Sequence, residues 1–260
     1  MRNRGTKEGT IAEVEFVKLL NKKEQLSYWH TLAIEPSNHY AIRVTTMKFG
    51  ELNSKKVFPK ADIFIAHGEV ELDYLKSKEY FLDEKDLEKF SLMPIKKSGI
   101  SIKRDDSKKF QIIKMGDSTF KKLFGSNILA AGASIYCRRE DEFIKNNELL
   151  DGWGVEKEEF LSYFNKNLDL KLTSITDKDI KKELNLIKKF SNKKIEEIIL
   201  KDKKLQDFIF FGIGNFKEPF TAYWLYEKGE FKQNYIIPFS VTTGSGRSKG
   251  DYTIVLKPKL

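Results

Sequence analysis

The chain has 260 residues, 40% of them hydrophobic and 33% charged, with a mean hydropathy of −0.48. That length supports one sizeable core, or a core with a smaller appended part, and no apolar run reaches the roughly 18 residues that a membrane span requires. Lys and Arg number 47 against 38 Asp and Glu, a formal net charge of +9, so long-range attraction favours a polyanionic partner such as nucleic acid.

The basic start Met1-Arg2-Asn3-Arg4-Gly5 leads into no apolar segment. The expectation is an intracellular, cytoplasmic protein with no signal peptide and no membrane contact. Residues 8–21 predict a first helix. At 100° per residue, Ala12, Phe16, Val17, Leu19 and Leu20 gather on one side, and Glu13 falls inside that stripe. A carboxylate on a buried face costs free energy unless something pairs with it, and a metal ion or a nearby lysine would do so. Glu15 lies only at the stripe's edge.

Residues 27–32 and 40–48 read as strands, the second alternating Ile42, Val44 and Thr46 with Arg43, Thr45 and Met47. The next strand, 59–66, is entered through Pro59 and puts Asp62 on the face of Phe64 and Ala66. Residues 69–98 are charged, with apolar residues at partly helical spacing, and read as an insertion packed beside this strand. The strand at 99–104 then puts Ser101 and Lys103 on one face. If the two strands pair, Asp62 and Lys103 meet at a sheet edge. A carboxylate that can hold Mg²⁺, beside an amine that can orient or deprotonate water and offset charge on phosphorus, suits phosphodiester hydrolysis.

At the end of that strand Arg104 leads into a polar turn with Lys108 and Lys109 that suits positioning phosphate, and Gln111 is a candidate for a bidentate contact with adenine. Residues 110–115 read as a strand or the start of a helix. Residues 117–144 read as helix, with small residues at 127–135 that allow close packing on a sheet, and 157–168, 177–190 and 192–211 read as further helices. Strand-like text returns at 220–226, 235–242 and 252–256. The loop joining the last two carries Gly244, Gly246 and Gly250 with Arg247 and Lys249, a backbone that can approach phosphate closely beside two cations, although it lacks P-loop spacing. His30, His39 and His67 are scattered without zinc-ligand spacing, and Cys137, the lone cysteine, reads as a core residue.

Gly9-Thr10-Ile11-Ala12-Glu13 on a helix, Asp62 on a strand and Ser101-Ile102-Lys103 on the next strand occur in the order that marks the PD-(D/E)xK nucleases, which the chain resembles over residues 8–104. The opening helix is similar to that of archaeal Holliday-junction resolvases and several restriction endonucleases. The resemblance implies an α/β (α+β) fold, with a mixed central sheet flanked by helices, a helical subdomain and C-terminal strands. The catalytic core would occupy residues 1–140, with an insertion at 69–98, and residues 141–260 would complete the fold and contact DNA. It also implies Mg²⁺ as cofactor, held by Asp62, Glu13 and the backbone carbonyl of Ile102, with Lys103 positioning or activating water. Ser101 stands where Asp or Glu is usual, and Glu13, Glu69 or Glu71 would make up the missing charge.

The material beyond a minimal core favours a type II restriction endonuclease over a junction resolvase or repair nuclease. Such an enzyme cuts double-stranded DNA to leave 5′-phosphate and 3′-hydroxyl ends, and a palindromic target would suit a homodimer. From a different class, a basic nucleic-acid-binding protein without catalysis also fits the charge, and metal dependence separates it from an enzyme.

Overall fold

The computed structural model describes residues 4–44, 51–52, 55–56, 60–103, 111–212, 221–233, 236–243 and 252–259. It divides into two compact units: residues 1–108 with 207–236, and residues 109–206 with 237–260. Among the described residues no helix is long and apolar enough to cross a membrane.

The first unit is a mixed six-stranded sheet with helices. Helix α1 (Arg4–Asn21) is followed by α2 (Leu26–Leu32), β1 (His39–Arg43) and a small antiparallel pair, β2 (Glu51–Leu52) with β3 (Lys55–Lys56). Then come β4 (Ile63–His67), α3 (Leu72–Ser77), α4 (Glu84–Lys89), β5 (Met93–Pro94) and β6 (Ile100–Lys103). The sheet closes with β8 (Trp224–Glu227) and β9 (Glu230–Gln233), in the order β1-β4-β6-β8-β9, with β5 paired to β4. The β6–β8 pairing is parallel and the others are antiparallel. This pairing returns residues 207–236 to the first unit across a long stretch of sequence.

The strand expected at 27–32 is a helix instead. Its β-favouring Tyr28, Trp29 and Thr31 are overridden because Trp29 and Leu32, three residues apart, are both buried in the core. The strand expected at 40–48 is β1, which the structure begins at His39 and ends at Arg43; residues 45–48 lie outside the described set. The insertion at 69–98 forms α3, α4 and β5, and buries Leu75, Leu82, Leu87 and Leu92 in the same core as the sheet.

Two devices fix α1. Phe16 packs on Tyr226 with ring centroids 4.0 Å apart, and Tyr28 and Phe231 complete an aromatic group in which the Tyr28 and Tyr226 hydroxyls lie 3.0 Å apart. At the helix end, buried Asn21 donates from Nδ2 to the Ala41 carbonyl and accepts the Ala41 N–H at Oδ1, both at 2.9 Å. Since β1 is an edge strand, the Asn21 amide takes the place of a further strand there. Asn21→Leu is therefore expected to lower stability by about 1–3 kcal/mol through the two groups it leaves unpaired, measurable as a lower denaturant midpoint with an unchanged slope.

The second unit holds a three-stranded antiparallel sheet, β10 (Phe239–Thr243), β11 (Ile254–Pro258) and β7 (Ile113–Met115). Its helices are α5 (Asp117–Phe124), α6 (Ile128–Ser134), α7 (Glu140–Trp153), α8 (Lys157–Leu168), α9 (Lys181–Lys201) and α10 (Lys203–Gln206). The single helix expected over 117–144 is broken twice: after Phe124, where Gly125 takes φ 79°, and again after Ser134. Conversely, the helices expected at 177–190 and 192–211 are one helix through buried Ser191, ending at Lys201 before α10 and a short π-helix at Asp207–Phe211. The small residues of α6 serve this helix. A Cβ on Gly132 would overlap the Ser191 hydroxyl and the Phe164 ring, so glycine is what permits α6 to lie so close to α9 and α8.

Candidate active site

The site lies where β4 and β6 stop pairing. Their ladder has the single register pair Ile63–Ile100, extended by the Asp62 N–H donating to the Ile100 carbonyl at 2.8 Å. Further along β4, buried Ser98 receives the Ile65 N–H on its Oγ, and β5 takes the strand's other end. In the opposite direction, at Asp62, the two strands diverge. The Asp62 side chain spans the gap: its Oδ2 accepts the Ile102 N–H at 2.6 Å and the Ser101 hydroxyl at 3.2 Å. Lys103 then donates from Nζ to Ser101 Oγ at 2.8 Å. A charge-assisted bond from a backbone N–H to a carboxylate is short and strong, so Asp62 is held in one orientation by β6 itself.

Helix α1 brings a second carboxylate. Glu13 lies one turn before Phe16, and its side chain is 24% exposed. Its Oε2 lies 3.3 Å from an Arg43 terminal nitrogen. Arg43 is almost fully buried, stacks over the Phe81 ring at 4.1 Å, and donates to the Glu79 carbonyl at 3.3 Å. Burial pushes the Glu13 carboxyl up to about 7, and repulsion from Asp62 adds to that, while the Arg43 hydrogen bond and the charges of Arg43 and Lys103 pull the other way. The partner expected for Glu13 was a lysine or a metal; the protein group beside it is an arginine.

Lys60 is a site residue that the sequence reading did not single out. Burial pushes its amine down to about 8, repulsion from Lys103 adds to this, and attraction to Asp62 opposes it. It sits two residues before Asp62, so the strand-entry segment carries both an amine and a carboxylate. The signal was present in Pro59-Lys60-Ala61-Asp62, as a lysine on the segment that leads into a buried strand.

Glu13, Asp62, Ser101 and Lys103 thus come together, with Arg43 and Lys60. The Ile102 N–H is the group of that residue that meets Asp62. Glu69 and Glu71 follow β4 at its His67 end, whereas Asp62 immediately precedes its Ile63 end. His67 instead faces His39 across the sheet, with ring centroids 4.8 Å apart. Arg104, Lys108, Lys109, Arg247 and Lys249 lie outside the described residues. Gln111 is exposed and belongs to the second unit.

The donor set can be tested against Mg²⁺. Among the described residues no three His, Cys, Asp or Glu side chains group around one point. Mg²⁺ nevertheless needs only one or two protein carboxylates, since it keeps several waters and takes substrate phosphate oxygens. Glu13 and Asp62 are hard oxygen donors close enough to repel one another, and a divalent cation would offset both that repulsion and the burial of Glu13. The residues fit one Mg²⁺.

No family model matches the chain, and neither does any curated protein or solved structure.

Proposed function

We propose that the chain is a Mg²⁺-dependent endonuclease that hydrolyses phosphodiester bonds in double-stranded DNA, in the manner of a type II restriction enzyme. The observation that carries this reading is the Asp62–Ser101–Lys103 chain at the divergence of β4 and β6, with the buried carboxylate of Glu13 beside it. Asp62 and Glu13 would hold the metal. Bound there, Mg²⁺ supplies Lewis-acid polarisation of a phosphate oxygen and offsets charge as it develops on phosphorus.

The protein's own groups account for the rest. Ser101 sets the direction of the Lys103 amine, which then holds the attacking water through its hydrogens. Lys60, with its amine near 8, carries an appreciable neutral fraction at mildly alkaline pH and would take the proton from that water. The water oxygen bonds to phosphorus as the bond from phosphorus to the 3′-oxygen breaks in line. The 3′-oxygen takes up a proton, leaving 5′-phosphate and 3′-hydroxyl ends. The net charge of +9 supplies sequence-independent affinity for the duplex.

The test is incubation of the purified chain with long duplex DNA and Mg²⁺ beside an EDTA control. Discrete fragments bearing 5′-phosphate, absent with EDTA, are expected. A smear would replace the site-specific reading with a nonspecific or structure-selective nuclease. Intact DNA that the protein shifts equally with and without EDTA would leave a nucleic-acid-binding protein and overturn catalysis.

A further inference from the structure

Behind the metal-side face of α1 the first unit holds a cavity of about 750 Å³, walled by α1 on one side and by α3 and the segment after it on the other. Its lining is of two kinds. Val14, Leu72 and Tyr80 give it an apolar body, and Lys18, Lys22, Lys76 and Arg43 bring four cations, against the single carboxylate of Glu79. Lys18 in the last turn of α1 and Lys22 in the turn just after it pair with no acidic side chain among the described residues, whereas Lys76 is paired to Asp73 at the surface. Arg43 is the buried member: its side chain is 3% exposed, and its Nε has no hydrogen-bond partner among the described residues. A buried guanidinium nitrogen without an acceptor is costly, and an anion supplies one.

We propose that this cavity binds a small phosphorylated molecule up to mononucleotide size, its phosphate drawn to Arg43, Lys18 and Lys22 and its body packed on Val14, Leu72 and Tyr80. The volume lies in the range of small-molecule sites, and the charges line a concavity, Arg43 within it and the lysines about its rim. Planar anion recognition suits arginine, and mobile point charges at the rim suit lysine. The site is distinct from the Asp62–Lys103 centre, but the two share Arg43, whose terminal nitrogen also meets Glu13. An occupant that engages Arg43 competes with Glu13 for it. If the metal reading above is right, occupancy and Mg²⁺ affinity then change one another by the same factor.

The experiment is calorimetric titration of the full chain with AMP in EDTA, so that it does not depend on metal or on cleavage. Saturable binding at one site is expected, with inorganic phosphate weaker because it lacks the body and adenosine silent because it lacks the charge. Lys18→Glu/Lys22→Glu changes two exposed side chains, so the fold is retained, as circular dichroism will report, and is expected to weaken AMP binding by about tenfold or more. Lys121→Glu/Lys122→Glu, the same charge change at two exposed lysines of α5 in the second unit, is expected to leave it within about twofold. Absence of AMP binding, equal binding by the Lys18→Glu/Lys22→Glu variant, adenosine binding as well as AMP, or an equal loss of binding in Lys121→Glu/Lys122→Glu would each overturn the proposal. A positive result with no DNA cleavage would keep the cavity assignment and remove only the nuclease reading.

Discussion

Asp62→Asn is expected to lower the DNA cleavage rate about a thousandfold or more, the equivalent of roughly 4 kcal/mol, while leaving the melting temperature in EDTA nearly unchanged. Asparagine is the informative replacement because the Asp62 side chain has two tasks. Its oxygen accepts the Ile102 N–H and the Ser101 hydroxyl where the strands part, and in the proposed reaction its charge would hold the metal. An amide oxygen keeps the first task and loses most of the second. Asp62→Ala would confuse them, since a buried N–H without an acceptor costs about 1–3 kcal/mol. The two lysines divide in the same way. Lys60→Met is expected to cost about 10²–10⁴-fold in rate and to remove the rise in activity as pH climbs through about 8, where the Lys60 amine loses its proton. Lys103→Met should lower the rate and keep that rise. If Lys60→Met cleaves normally and Lys103→Met abolishes the pH dependence, the proton goes to Lys103 and Lys60 only shapes the field.

The residues that group at this site are legible in the sequence where each breaks a local rule. Glu13 is a carboxylate inside an apolar helical stripe, and Asp62 and Lys103 are charges on strand segments otherwise dense in Ile and Ala. Arg43 stays hidden because nothing in its own neighbourhood is irregular. Arg43 occupies an ordinary alternate position of a strand, and only the placement of α1 and Phe81 turns it inward.

The fold divides along similar lines. Helix α8 is legible to the residue because its period is clean, whereas α2 is composed of strand-favouring residues and is helical only because Trp29 and Leu32 share a buried side. Strand β9 could have been found. Lys228 and Gly229 both take positive φ, 53° and 81°, the two-residue turn that favours glycine at its second position, and Glu230-Phe231-Lys232-Gln233 alternates after it. The parallel β6–β8 pairing could not, because it joins segments more than a hundred residues apart and no local pattern encodes that partner.

Glu13→Gln is expected to stabilise the metal-free protein at pH 8 and to have little effect at pH 4. The sign follows from the direction of the shift. The folded chain holds the Glu13 proton up to about 7, against 4.5 ordinarily, so between those values the folded state binds more protons than the unfolded one. The stability that this protonation contributes is full below pH 4.5 and is lost as pH rises through about 7, an amount on the order of 3 kcal/mol for a shift of this size. Glutamine cannot ionise, so its stability curve should stay flat across the window in which the wild type falls. Mg²⁺ should act in the opposite sense on the wild type, because a cation favours the ionised carboxylates: the melting temperature gained from Mg²⁺ should be larger at pH 8 than at pH 6. In Glu13→Gln that gain should shrink and lose its pH dependence, and in Asp62→Asn it should nearly vanish. A wild type whose metal-free stability does not fall between pH 5 and pH 7.5 would mean that Glu13 is solvated and fully ionised beside Arg43, and would remove it from the metal site. A wild type that falls as expected, yet gains nothing from Mg²⁺ at either pH, would leave Glu13 and Asp62 as a buried charged pair that serves the fold alone.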